Sequence, residues 1–139
     1  MAINYTQLAT EINTDPKALG YAGKSDYDIS VLLNTRGLSS ETIFQTYTPS
    51  EDLVAGIVLS EYTALQANNR QFVDMVFGRP RVQTGSANLR TQIAAIFAAG
   101  TTSRANLVAA SQRSASRGEV LFGEGTNVSD LDVAKALRG

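Results

Sequence analysis

The sequence contains no cysteine, no histidine and no tryptophan. Without cysteine and histidine the chain forms no disulfide, no Ser-His-Asp or Cys-His catalytic group, and no zinc finger or thiolate metal site. Catalysis would have to use carboxylates, lysine or tyrosine, and a metal would have to be bound by oxygen ligands. We therefore expect a protein that is not an enzyme, with no catalytic, cofactor-binding or metal residues.

Charge and long apolar runs are also scarce. Charged residues make up 18% of the chain, and its formal net charge is −1. This balance argues against nucleic acid as the main partner, because phosphate binding depends on clustered lysine and arginine. The first residues lack the basic segment and apolar run of a signal peptide, and no run approaches the about 20 apolar residues of a membrane span. We expect synthesis in the cytoplasm of the producing cell and no membrane partner.

Helix signals recur along the whole chain. With 139 residues, 43% of them hydrophobic, the length and composition are those of a single globular domain over residues 1–139. Residues that cap helices stand before apolar segments, often with an acidic residue in the first turn. The predicted caps are Asn4, Ser25, Ser86, Thr102, Ser116 and Ser129. Ser116 and Glu119 have the spacing of a capping box. We predict an all-α fold, a compact bundle of about six to eight short capped helices.

The longest helical pattern covers residues 48–67. Thr48 has the position of a cap, Pro49 that of the first helical residue, and Glu51 that of the capping-box acid. Residues 53–59 are apolar on every face, and a helix of that kind is surrounded by protein. We therefore predict a central helix near residues 49–67 around which the other helices pack.

Residues 39–47 have mixed signals. A serine cap followed by Glu41 favours a short helix, whereas the Thr, Ile, Phe and Tyr content is typical of a strand. A short helix or an extended connector is the preferred prediction, with a strand as the alternative.

Glu61 is the strongest candidate for a special carboxylate. It falls within the apolar stripe that Val54, Val58 and Leu65 form on the predicted central helix. A carboxylate in such a place is paired or hydrogen-bonded, or its pKa rises. One interpretation is a functional acid. The favoured one is a structural carboxylate that binds Arg70, Arg90 or a nearby helix N-terminus.

Three other groups of residues partly match known kinds of binding site. Residues 123–125 are glycine-rich but lack the lysine and the preceding strand of a phosphate loop, so we predict a turn. Asp26 and Asp28, like Asp130 and Asp132, lack the glycine and the final glutamate of a calcium loop and are interpreted as helix-start acids. Phe77, Arg79 and Arg81 surround Pro80 in a basic-aromatic cluster that is too small to indicate nucleic acid binding.

Parts of the chain resemble a group of small tailed-bacteriophage proteins. The matching residues near the start are Leu8, Glu11, Ile12, Asp15, Pro16, Gly20, Tyr21, Leu33 and Asn34. Those in the middle are residues 88–97, Gly100, Thr101 and residues 104–107. Those near the end are Ser116, Arg117, Glu119, Leu121, Phe122, Gly123, residues 128–130 and residues 136–137. These motifs are helix caps and core residues rather than a catalytic signature, and the resemblance implies a phage origin.

A phage origin leads to two classes of function. The first is a virion-associated structural protein, a component of the head, the head–tail junction or the tail. Such a protein is made in the host cytoplasm and contacts other phage structural proteins or itself as a homo-oligomer, through apolar residues exposed on one face. The second is a non-virion phage protein that binds and inhibits a host enzyme or defence protein. The weak charge and the missing catalytic groups favour the virion protein.

Overall fold

A computed structural model describes residues 2–139, and over that range the chain forms nine helices and four short strands. The helices are α1 (Tyr5–Thr14), α2 (Asp26–Asn34), α3 (Ser50–Val54), α4 (Leu59–Thr63), α5 (Ala67–Phe77), α6 (Ala87–Ile96), α7 (Thr102–Ser111), α8 (Arg117–Phe122) and α9 (Asp130–Arg138). The strands are β1 (Thr42–Phe44), β2 (Thr48–Pro49), β3 (Arg81–Val82) and β4 (Gln112–Ser114). The fold is mostly helical, as predicted.

The fold is not strictly all-α, because the strands form two small sheets. β1 pairs with β4, and β2 pairs with β3 in antiparallel register, with Thr48 opposite Val82. The prediction of a helix or connector within residues 39–47 is wrong where β1 forms. The alternative of a strand is confirmed there, because a β-rich segment becomes a strand once the chain supplies a partner for its backbone.

Most of the predicted helix caps are confirmed. The side chains that accept a hydrogen bond from a first-turn N–H are those of Asn4, Ser25, Ser86, Ser116 and Ser129. Ser116 and Glu119 form the predicted capping box. The cap predicted at Thr102 is instead Thr101, whose hydroxyl accepts from the N–H of Arg104. Local capping chemistry thus sets most helix starts.

The contacts divide the chain into two compact units. Unit 1 combines the segment that ends at Ile43 with Ser114–Gly139, and unit 2 is the segment Phe44–Arg113 between them. In unit 1, α9 packs against α1 and α2, and α8 packs against α2. In unit 2, α3 packs against α5 and α7. The expectation of a single domain over residues 1–139 stays a prediction.

Each unit has its own apolar core. The core of unit 1 contains Leu8, Ile12, Tyr21, Ile29, Leu33, Val128 and Val133. The core of unit 2 contains Leu53, Val73, Phe77, Val82, Phe97 and Leu107. Residues from both ends of the sequence therefore build one core, and its middle builds the other.

The predicted central helix near residues 49–67 is wrong. α3 ends at Val54, α4 begins at Leu59, and residues 55–58 lie between them. α7 stabilises this break: the Asn106 side-chain amide donates to the Gly56 carbonyl at 2.9 Å, and the Val58 N–H donates to Ser103 Oγ at 2.8 Å. Backbone groups that a continuous helix would pair internally are satisfied by side chains of another helix instead.

The predicted start of that helix is also wrong. Thr48 belongs to β2, where its buried hydroxyl lies 2.7 Å from that of Thr84. The N-cap of α3 is Pro49, which forms no side-chain capping hydrogen bond. A hydroxyl with a buried partner in tertiary structure is not free to cap a helix, so a local capping pattern was overruled by a contact 36 residues away in sequence.

Candidate functional site

Glu61 binds the N-terminus of α7. Its carboxylate accepts hydrogen bonds from the N–H of Thr102 at 3.0 Å and from the N–H of Ser103 at 2.7 Å. Hydrogen bonds from the Ser103 side chain and backbone hold the pKa of Glu61 below its ordinary value. The helix N-terminus contact in the favoured interpretation is therefore confirmed. The predicted place in a buried stripe is wrong, since α4 buries none of its residues.

The paired aspartates start helices, as predicted. Asp26 and Asp28 lie in the first turn of α2, and Asp130 and Asp132 lie in the first turn of α9. Asp132 accepts a hydrogen bond from the Tyr5 hydroxyl at 3.0 Å and completes a second capping box with Ser129. Across residues 2–139, no three acidic side chains come together in a group able to hold a metal ion.

The glycine-rich segment forms the predicted turn. Gly123 and Gly125 have φ angles of 108° and 82°, which favour glycine. The N–H of Gly125 donates to the Glu119 carboxylate at 2.8 Å, so the segment folds back onto the capping box of α8. The backbone N–H groups of Gly123 and Gly125 therefore bind Glu119 within the chain.

The residues around Pro80 take separate structural roles. The Arg81 guanidinium lies 4.0 Å from the centre of the Tyr47 ring, a cation–π distance. The Arg79 carbonyl accepts a hydrogen bond from the Ser50 hydroxyl. Phe77 is buried in the core of unit 2. The basic side chains do not gather on an exposed Phe77.

Unit 1 contains a buried ionic cluster that the sequence patterns did not predict. Arg117 Nη2 lies 2.9 Å from Glu11 Oε1, and Arg117 Nη1 lies 3.0 Å from Glu41 Oε1. The side chains of Arg117 and Glu11 are 11% and 3% exposed. The Tyr21 hydroxyl donates to Glu11 Oε2 at 2.9 Å. One guanidinium thus neutralises two carboxylates, and a phenol satisfies a remaining acceptor.

The electrostatics of this cluster favour the charged carboxylate of Glu41 and the neutral phenol of Tyr21. Burial and the hydrogen bond to Glu11 raise the pKa of Tyr21. Burial alone would raise the pKa of Glu41, but Arg117 contributes to holding it below its ordinary value. The Glu11 hydrogen bond raises the pKa of Arg117 despite burial. Every polar group in the cluster serves another member of it, so the arrangement is built for structure. No local pattern indicated the cluster, because Arg117 lies 106 residues from Glu11 and 76 residues from Glu41 in the sequence.

Unit 2 presents an apolar groove of about 420 Å³. Its lining residues are Val54, Ile57, Leu59, Tyr62, Val73, Asp74, Phe77 and Gly78. Val54 and Leu59 are 49% and 73% exposed. Val54 lies before the break at residues 55–58 and Leu59 lies after it, so both sides of the break contribute exposed apolar side chains to the groove.

Among the helices of residues 2–139, none is long and apolar enough to cross a bilayer.

Comparisons with protein-family models, with curated proteins and with solved structures give no match to this chain.

Proposed function

We propose that the chain is a virion-associated protein of a tailed bacteriophage, made in the host cytoplasm and incorporated in the head, the head–tail junction or the tail. It acts through protein–protein contacts and not by catalysis. The resemblance of its start, middle and end to small phage proteins supports the phage origin. The absence of histidine and cysteine from the sequence supports binding rather than chemistry.

The single observation that carries a binding function is the groove of unit 2. Leu59 is 73% exposed beside a recess lined by Ile57, Tyr62 and Val73. An apolar side chain in water next to an apolar recess loses unfavourable hydration when a partner covers both. The groove therefore supports association with protein.

A second copy of this chain is the occupant that we propose for the groove. Leu59 itself lines the recess and is 73% exposed, so one surface offers both an apolar recess and an exposed apolar side chain. In a symmetric dimer, Leu59 of each copy enters the recess of the other. The acidic group in the lining, Asp74, accepts a hydrogen bond from the Tyr62 hydroxyl at 2.6 Å and is thereby partly satisfied before association.

Mass spectrometry of purified virions tests the location. We expect peptides of this chain in particles of the phage that encodes it, in several copies per particle. A chain that is made during infection but is missing from particles contradicts the virion proposal. That result would favour the alternative, a non-virion phage protein that inhibits a host enzyme or defence protein.

Light scattering coupled to size-exclusion chromatography tests self-association. We expect the purified chain to form an oligomer and Leu59→Asp to convert it to a monomer, because a charge would have to be buried in an apolar recess. Leu131→Asp is the matched control, since Leu131 is a comparably exposed leucine in unit 1. A monomeric parent chain, or dissociation by both variants alike, contradicts the proposed surface.

A further inference from the structure

Unit 2 contains a second, smaller cavity that the proposed function does not use. Its volume is about 190 Å³. Its apolar wall consists of Phe44, Leu53, Phe77, Ile93, Ala94, Leu107 and Val108. An apolar cavity of about 150 Å³ accommodates a benzene molecule, so this one has room for a body the size of a phenyl ring.

Two arginines give this cavity a positive character. Arg90 and Arg104 line it, and the other polar lining residues are Thr84 and Ser111. Among the described residues that line the cavity, none is aspartate or glutamate. A cavity with apolar walls and uncompensated positive charge favours an occupant that is apolar and anionic.

Arg90 is held in place at the cavity. Its Nη1 donates to the Thr84 carbonyl at 2.7 Å, and its guanidinium lies 4.0 Å from the centre of the Phe44 ring. These contacts use part of the five N–H donors of a guanidinium. The remaining donors are fixed in orientation, which lowers the entropy cost of binding an anion.

Arg104 adds a cation with unused donors. It is half-buried, and its guanidinium has no ion-pair or hydrogen-bond partner among residues 2–139. A guanidinium that is partly removed from water without acceptors is unfavourable, and a carboxylate in the cavity would supply them.

We propose that this cavity binds a ligand with a small apolar body and a single carboxylate. The apolar body lies against Phe44, Leu53 and Leu107, and the carboxylate accepts hydrogen bonds from Arg90 and Arg104. Two sources have this chemistry: a free aromatic or aliphatic acid, and the C-terminal apolar residue of a peptide. The inference is independent of the virion proposal, because it concerns a different cavity and a different class of ligand.

Calorimetric titration of the full chain with two molecules of the same shape tests the proposal. The probes are 3-phenylpropionate and its neutral amide. We expect saturable binding of the acid and about tenfold or more weaker binding of the amide, because hydrogen bonds to a charged group are the stronger ones. Equal affinities, or no saturable binding of the acid, overturn the proposal. This comparison needs no variant.

Variants then locate the site. Arg104→Gln is expected to weaken binding of the acid about tenfold and to leave binding of the amide unchanged. Arg79→Gln is the matched control, since it removes an exposed arginine of unit 2 outside the cavity lining, and it should bind like the parent chain. Ala94→Leu fills the cavity and should abolish binding of both probes. Retained binding in Ala94→Leu, or an unchanged affinity for the acid in Arg104→Gln, overturns the assigned location.

A third probe, N-acetyl-L-phenylalanine, distinguishes the two sources. Tighter binding of this probe than of 3-phenylpropionate assigns the site to a peptide C-terminus, because the acetyl amide reproduces the preceding peptide bond. The reverse order assigns it to a free acid. Failure of both carboxylates to bind contradicts the proposal whatever the virion and oligomer experiments show.

Discussion

At the scale of single residues, Arg117 organises the polar interior of unit 1. Its guanidinium forms ion pairs with Glu11 and Glu41, and Glu11 in turn accepts from the Tyr21 hydroxyl. A buried ion pair contributes little net stability, because the cost of desolvating its two charges offsets much of their attraction. Removal of one partner is strongly destabilising, because the other charge is left buried and unpaired.

Arg117→Met is therefore expected to lower the free energy of unfolding by about 3–5 kcal/mol, measured by urea denaturation. Arg36→Met is the control. Arg36 is 62% exposed and its Nε lies 3.8 Å from Glu119 Oε1, so its loss should cost about 0–1 kcal/mol. Similar small losses in both variants would contradict a structural role for the cluster.

Asp15 links stability to pH. Burial alone would raise its pKa, but hydrogen bonds from the N–H groups of Gly20, Leu19 and Tyr21 hold the pKa below its ordinary value of 3.8. A folded-state pKa below the unfolded one means that the stabilisation is complete above the unfolded pKa. It is lost as the pH falls through the folded pKa.

We expect the free energy of unfolding to fall as the pH drops below about 4, and to fall less in Asp15→Asn, whose amide does not titrate. Asparagine also tolerates the left-handed backbone at this position, where φ is 43°. Urea denaturation at pH 7 and at pH 3 measures the difference. Equal acid sensitivity of the parent and the variant would show that Asp15 does not contribute.

At the scale of secondary-structure elements, the break between α3 and α4 separates a buried leucine from an exposed one. Leu53 lies before the break and is 2% exposed, whereas Leu59 lies after it and is 73% exposed. A continuous helix with an apolar surface on every face would have buried both. α7 approaches the break closely at Gly56, where a Cβ would lie 2.8 Å from Asn106 Cβ, so the position favours glycine.

Leu53→Ala is expected to destabilise the chain by about 2–5 kcal/mol, because it leaves a cavity in the core of unit 2. Leu59→Ala should change stability by no more than about 0.5 kcal/mol, as is usual at an exposed position. Urea denaturation of the two variants at a concentration where the chain is monomeric provides the comparison. A large loss of stability in Leu59→Ala would contradict the exposed position of Leu59 and would favour the predicted central helix.

The elements that the sequence predicted correctly are those specified by neighbouring residues. Ser25 and Ser116 cap helices within three residues of themselves, so their patterns are complete in the local sequence. The β2–β3 pairing joins Thr48 to Val82, and no local pattern records that contact. Helix starts with a local side-chain cap were therefore predictable, whereas the β2–β3 pairing and the helix break were not.

The same distinction applies to the candidate sites. Glu61 was recognised because a carboxylate in an apolar segment stands out, and a helix N-terminus was one of its predicted partners. Arg117 and Glu11 are 106 residues apart, and each is ordinary in its own segment. The cavity with Arg90 and Arg104 likewise depends on how separate helices of unit 2 pack, which periodicity does not specify.

At the scale of the whole molecule, the chain passes from unit 1 into unit 2 and then back into unit 1. Unit 2 is one continuous segment, Phe44–Arg113, and unit 1 is completed only when Ser114–Gly139 has followed it. Each unit holds about half of the chain. Domains of that size bury a smaller fraction of their surface and are marginal alone. This argument favours the sequence-based prediction of a single domain.

We accordingly expect one cooperative transition in differential scanning calorimetry, with a calorimetric enthalpy equal to the van't Hoff enthalpy. Leu33→Ala removes a core contact in unit 1, and Leu53→Ala removes one in unit 2. If the chain is one domain, each variant lowers the midpoint of the whole transition, by roughly 2–4 °C per kcal/mol lost. If the units unfold independently, two transitions appear, and each variant lowers only the one that belongs to its own core. The second result would contradict the single domain, and it would also identify which unit provides the less stable half of the chain.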